Sequence, residues 1–182
     1  ITIPRDLILE KLMIVSSAVA RRSTLPILSN VYMRAEKGAI QFIGHDLETQ
    51  LEASLQSDQV KEEIELTVAC KKFIDVLKAI NEQEVKIDFD GKKLVVKANK
   101  SKFTLQTLPG SEFPKIKTPE EFSSTFSVTQ KDLKRILSNV NFCIPSSDTR
   151  YYLNGALLVV EKGLLKAVGT DGHRLAFCQT SQ

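Results

Sequence analysis

Apolar residues at Ile8, Leu12, Val15 and Val19 recur at the i, i+4, i+7, i+11 spacing of one helix face, which predicts a helix over roughly residues 5 to 19. Beyond Pro26 the period changes. Residues 27 to 35 and 39 to 43 read as strands joined by a turn at Glu36-Lys37-Gly38. Leu47, Thr49, Leu51, Ala53 and Leu55 alternate with Glu48, Gln50, Glu52 and Ser54, the pattern of a half-buried strand with an acidic outer face. A polar link near residues 56 to 61 leads to a strand at 64 to 68, then Phe73, Val76, Leu77 and Ile80 mark a short second helix. Val85, Ile87 and Phe89 run into Asp90-Gly91, a pair that tolerates the positive φ of a tight hairpin. Leu94, Val96 and Ala98 return, followed by a strand at 103 to 108. Breakers and charges at Pro109-Gly110 and residues 114 to 119 then read as a domain boundary. Thr129 stands as an N-cap with Asp132 three residues on, ahead of a helix expected to bury Leu133, Ile136, Leu137 and Val140. The class is α+β, with antiparallel sheets that each carry helices on one face only.

The punctuation repeats. Asp6-Leu7, Arg22, Leu28, Glu36-Lys37-Gly38 and Asp46 recur in order as Asp132-Leu133, Arg150, Leu153, Glu161-Lys162-Gly163 and Asp171. In both copies the aspartate follows the turn glycine at a spacing of eight positions. Matched punctuation implies a tandem array of like domains. Residues 1–118 are expected to form one complete domain, itself two similar halves. Residues 119–182 are expected to form the first half of a second.

Bulk properties narrow the function classes. The 182 residues are 42% hydrophobic, enough for a packed core, and contain no apolar run of membrane-spanning length. The first residues lack the layout of a secretory signal. Cys70, Cys143 and Cys178 are odd in number and widely spaced, which suits buried thiols in a reducing cytoplasm rather than a disulfide or zinc framework. A net charge of +3 permits contact with nucleic acid without demanding it, so the distribution of charge decides. Lys131, Lys134, Arg135 and Ser138 fall opposite the apolar stripe of the third helix, and Lys71 and Lys78, with Asp75, opposite that of the second. The first helix carries Asp6, Glu10, Met13 and Ser17 off its stripe and is followed by Arg21 and Arg22. Charged helix faces are ordinarily just solvated. A repeat that places such faces on a common surface instead supplies sequence-independent attraction for phosphates.

Two segments invite a chemical reading. Thr170-Asp171-Gly172-His173-Arg174-Leu175-Ala176 offers a histidine, a carboxylate and a hydroxyl, and His45 beside Asp46 occupies the matching region of the first copy. This permits a metal-dependent phosphohydrolase built on His45, Asp46, Asp171 and His173 as the alternative function. Against it, no HxH, HxxxH or HExxH spacing and no glycine-rich phosphate cradle appears. A turn that positions side chains for structure or partner binding is the competing reading. In Arg150-Tyr151-Tyr152-Leu153-Asn154-Gly155, the arginine and tyrosines suit phosphate contact and stacking on unpaired bases, or equally the packing of an edge strand.

At these segments the chain resembles the bacterial DNA sliding clamps, the β subunits of DNA polymerase III. The resemblance rests on RDL at Arg5–Leu7, TLPILSN at Thr24–Asn30, FTLQTLPGSEFP at Phe103–Pro114, RYYLNG at Arg150–Gly155 and TDGHRLA at Thr170–Ala176, all in the family's order. It implies a non-catalytic processivity factor of a polymerase holoenzyme, cytoplasmic, needing no cofactor or metal. Such clamps are homodimeric rings with helices lining a central hole and sheets outside. Double-stranded DNA would pass through, met by the helix residues Lys71, Lys78, Lys131, Lys134 and Arg135, with Arg22, Tyr151 and Tyr152 near the duplex or its single-stranded extension. A hydrophobic cleft, its first wall made of Leu153, Thr170, Gly172, His173, Arg174 and Leu175, would capture short peptides. These would come from the polymerase catalytic subunit, the clamp loader, and repair and translesion polymerases. Phe103 and Leu105 are candidates for the dimer seam or for ordinary strand core. A third class, a nucleic-acid-binding saddle that does not encircle, shares the basic helices but not the ring.

Overall fold

The computed structural model describes residues 1–20, 24–116 and 122–180. It divides into two compact units, Ile1–Thr118 and Pro119–Gln182.

The first unit carries β1 (Thr2–Pro4), α1 (Arg5–Val15), β2 (Asn30–Glu36), β3 (Ala39–His45), β4 (Gln50–Gln56), β5 (Ile64–Ala69), α2 (Cys70–Ala79), β6 (Glu84–Phe89), β7 (Lys93–Ala98) and β8 (Ser101–Pro109). The strands form one antiparallel sheet ordered β1-β6-β7-β8-β5-β2-β3-β4. That order has an internal symmetry: each half is a three-strand meander plus one strand lent by the other half. β1 opens the chain yet pairs with β6, and β5 leads into α2 yet pairs with β2. The halves join narrowly, through Leu66–Val68 of β5 and Thr107–Pro109 of β8. Residues 101 to 106 of β8 therefore pair only with β7.

Both helices pack their apolar stripes into one core. Ile8, Leu12 and Val15 of α1 and Phe73, Ile74 and Leu77 of α2 join Val31, Met33, Phe42, Leu66, Val85, Ile87, Leu94 and Val96 of the sheet. Burying each such side chain contributes roughly 1.5–3 kcal/mol. A smaller cluster of Tyr32, Ile43 and Phe113 lies apart from this core. There the segment after β8 is held down. Lys115 Nζ donates to the Tyr32 hydroxyl at 3.1 Å and to Glu65 at 3.3 Å, and the Ile116 amide donates to Gln50 Oε1 at 2.7 Å.

The second unit contains α3 (Gln130–Asn141) over an antiparallel sheet ordered β11 (Leu175–Gln179), β10 (Leu164–Thr170), β9 (Leu157–Glu161). Its buried core is Ile136, Val140, Leu165 and Ala167. The Thr129 cap forms: its Oγ1 accepts from the Asp132 amide at 3.1 Å and bonds the Asp132 carboxylate at 2.7 Å.

The repeat holds in three dimensions. Lys37-Gly38 and Lys162-Gly163 both make two-residue hairpin turns with positive φ at each position. In each copy a glycine of the strand leading to the key aspartate lets the helix end lie on the sheet. A Cβ on Gly169 would come 2.6 Å from the Val140 carbonyl oxygen, and one on Gly44 would overlap that of Val15.

Four expectations need correction. α1 ends at Val15, not near 19, and a 3-10 turn follows at Ser16–Ala18. The Ser16 and Ser17 hydroxyls donate back to the Met13 and Ile14 carbonyls, which offers the chain an exit from the helix. The strand expected from residue 27 begins at Asn30. Pro26–Ser29 is a 3-10 turn, with proline's fixed φ at its start, and it drives Leu28 into the interior. The alternating strand begins at Gln50, not Leu47. Leu47 is 54% exposed at φ +81° because Asp46 Oδ1 accepts from the Glu48 and Thr49 amides and closes a turn. Leu137 is exposed: it lies about 100° round α3 from Ile136, off the strip that meets β10 and β11.

Candidate functional site

In the turn between β10 and β11, Asp171 spends its carboxylate on the backbone. Oδ1 accepts from the amides of His173 and Arg174, both at 2.9 Å, and Oδ2 from Arg174 Nε at 2.9 Å. These bonds, the Arg174 amide first, hold the carboxyl down at about 2. Thr170 Oγ1 donates to the Arg174 carbonyl at 2.7 Å and accepts from the Gly172 amide at 3.1 Å. None of these bonds reaches the His173 imidazole, and the Thr170 hydroxyl proton is committed to a carbonyl. The segment is therefore a rigid presenting turn rather than an acid–base pair. It displays Leu175, 65% exposed, and Arg174, whose guanidinium lies 5.8 Å from the centre of the exposed Phe142 ring.

Against this turn lies the loop before β9. Arg150 places Nε 3.0 Å from Asp148 Oδ1 and Nη2 2.8 Å from Oδ2, while its amide donates to Oδ1 at 2.8 Å. The guanidinium bonds, with the amide next, draw the Asp148 carboxyl down to about 2. Asn154 braces the same loop, accepting from the Asp148 amide and donating to its carbonyl. The Leu153 amide donates to the Arg150 carbonyl at 2.9 Å, closing the short turn Tyr151–Leu153. Tyr151 and Tyr152 project from it, 82% and 68% exposed, edge to face with centroids 6.0 Å apart. Sequence pattern assigned no structural role to Asp148, Asn154 or Phe142, and offered Arg150 as a phosphate contact or as part of a packed edge strand. The aspartate two residues before an arginine was the available signal, since an Asx turn brings those two side chains together.

Lys71 and Lys78 are exposed on α2, and Lys131 and Lys134 on α3. None forms an ion pair with another described residue. Arg135 differs: its Nη2 donates to the Gln179 carbonyl at 3.2 Å and its Nη1 lies 3.6 Å from Cys178 Sγ, so it is tied to β11. Arg21 and Arg22 lie outside the described residues. Phe103 and Leu105 sit on the stretch of β8 that pairs on one side only, with Leu105 buried and Phe103 packed against the same core.

The metal-dependent alternative is not supported. His45 is 3% exposed, both of its ring nitrogens lack a hydrogen-bond partner, and its ring lies 6.4 Å from that of Phe113. Asp46 is occupied by its own turn, and among the described residues no three His, Cys, Asp or Glu side chains cluster to hold a metal. Cys70 is a buried thiol pushed up to about 11 by desolvation, Cys143 is buried, and Cys178 is only partly so. Among the described residues no helix is long and apolar enough to cross a membrane.

Residues 1–117 match the family model described as DNA polymerase III beta subunit, N-terminal domain, and residues 127–182 match the central domain. The beta sliding clamp of Pseudomonas putida KT2440 is 41% identical over 181 residues, 99% of this chain and 49% of that protein. The beta sliding clamp of Escherichia coli K12 is 35% identical over 180 residues, 97% and 48% respectively. The crystal structure of the DNA polymerase III subunit beta from Pseudomonas aeruginosa superposes with a TM-score of 0.93 at 39% identity, over 98% of this chain and 49% of that one. The chain spans about half the length of the curated relatives it matches.

Proposed function

The chain belongs to the DNA polymerase III beta-subunit family, and from that membership we propose that its parent protein is a sliding clamp. It encircles duplex DNA without reading sequence and tethers the replicative polymerase to its template. The observation that carries this reading is the repeated unit of helix over antiparallel sheet, built three times, whose second and third helices, α2 and α3, display lysines that form no ion pair among the described residues. Dispersed ammonium groups attract phosphates smoothly and, being screened by salt, do not anchor the protein at one site. Retention then comes from enclosure, so no catalytic group is required of the protein. Residues 1–118 and 119–182 are clamp domain one and part of domain two. Tyr151 and Tyr152 offer exposed rings and hydroxyls to the duplex or to the unpaired template beside it.

The wall of Leu153, Thr170, Gly172, His173, Arg174 and Leu175 receives short peptides from the polymerase, the clamp loader, and repair and translesion polymerases. Leu175 supplies apolar contact, and Arg174 and His173 border the pocket with polar groups. The ring closes as a homodimer in the cytoplasm, through the one-sided stretch of β8 that bears Phe103 and Leu105. An edge with a row of unpaired backbone groups is a ready site for pairing with another chain.

Enclosure is tested with the full-length protein loaded on nicked circular plasmid by its clamp loader and ATP. Gel filtration should show the protein travelling with the circle and released once a restriction enzyme linearises it. Equal retention on both forms would sink enclosure and favour a saddle that binds without encircling.

A further inference from the structure

Resting on the peptide-binding reading of this wall, we infer that Arg150 is the positioning residue that holds the peptide wall in shape and fastens it to the tyrosine pair. The guanidinium spans two elements. On one side it is clamped to Asp148 through Nε and Nη2, at 3.0 and 2.8 Å. On the other, Nη2 donates to the Asp171 carbonyl at 3.0 Å, from the loop onto the turn. The Arg150 carbonyl meanwhile fixes Leu153 and so sets where Tyr151 and Tyr152 emerge.

The two repeats provide an internal control. In the first, Asp46 closes the same kind of turn with its carboxylate, yet the residue after it is Leu47 at φ +81°. In the second that place belongs to Gly172, at φ +88°. The turn can thus be made without glycine. A side chain there would crowd the arginine: a Cβ at position 172 would lie 2.9 Å from Arg150 Nη1, so the guanidinium would have to shift from its place between Asp148 and the Asp171 carbonyl. The missing side chain is the seat of the guanidinium, and glycine and arginine form one device. A lysine cannot replace it, because a single ammonium point charge lacks the planar fork that reaches carboxylate and carbonyl together.

The test uses full-length protein and a fluorescein-labelled peptide copying the clamp-binding tail of the same organism's replicative polymerase, with affinity read by fluorescence polarisation. Arg150→Ala and Arg150→Lys should both weaken binding about tenfold, the scale of losing a charge-assisted hydrogen-bond pair. Gly172→Ala should do the same. Hydrogen exchange at the His173 and Arg174 amides should quicken in all three. Wild-type affinity in Arg150→Lys would overturn the inference, since charge alone would then suffice. Should Arg150→Ala fail to fold, the lysine variant decides, because it keeps charge and approximate length. Leu175→Ala is the control for the underlying reading. If it too leaves the peptide bound, the wall is not a peptide site; if it abolishes binding while Arg150→Lys is silent, only the role of Arg150 fails.

Discussion

Asp148 and Asp171 make the second unit's loops sensitive to acid at a point their burial would not suggest. Both carboxyls sit at about 2 in the folded protein against an ordinary 3.8. A depressed folded value means the stabilisation is complete above the unfolded value and disappears as pH falls through the folded one. Hydrogen exchange at the His173 and Arg174 amides, corrected for intrinsic rates, should stay constant from pH 8 to about 5. Protection should then vanish between roughly pH 4 and 2, as those carboxyls protonate. Loss of protection already near pH 6 would show that these carboxylates do not hold the turn. The sequence showed Thr170–Ala176 as a unit worth attention, because carboxylate, histidine and arginine stood together. It could not show where the carboxylate points. Three donors from its own turn take Asp171, and that assignment, invisible in a string of letters, separates a scaffold from an acid–base pair. His45 makes the converse case: beside Asp46 in sequence, it turns its ring toward Phe113.

At the scale of elements, periodicity located the three α-helices of the described residues, and the errors gathered at their edges and between strands. Serine hydroxyls bonding back to the helix, proline at the start of a 3-10 turn and an aspartate closing its own turn each shifted a boundary by several residues. These are local competitions between side chain and backbone that an apolar pattern does not register. Helix faces were legible, but the use of each charge was not. Lys71, Lys78, Lys131 and Lys134 form no hydrogen bond or ion pair with other described residues, whereas Arg135 is held by the Gln179 carbonyl. Neutralising the four lysines to alanine in the full-length protein should therefore flatten the dependence of DNA affinity on salt. The slope of log K against log salt should fall by about 0.9 for each phosphate that is no longer neutralised. Arg135→Ala should change that slope less than any single lysine. An equal change from all five would mean that the tether to β11 opens on DNA.

Over the whole molecule, the two units differ in how much interior they own. Among the described residues, the first gathers two α-helices and eight strands on one continuous core, whereas the second has a buried cluster of Ile136, Val140, Leu165 and Ala167, with Cys143 also buried. Residues 1–118 expressed alone should unfold in urea as a single cooperative transition followed by circular dichroism. Residues 119–182 alone should show none, because so little buried apolar surface cannot offset the entropy of ordering the chain. A sharp transition from the second piece would show that its loops contribute more than its core. The repeated unit, the α+β class and the apolar face of each α-helix were already written in the order of the residues. Those properties follow from local spacing, which the chain carries at every point. Folding in three dimensions was needed to settle which strand lends itself to which half, that Leu137 faces outward, and that Arg150 rests on Gly172. Those depend on residues far apart in sequence meeting in space, where a contact is selected by geometry and by the partners already taken.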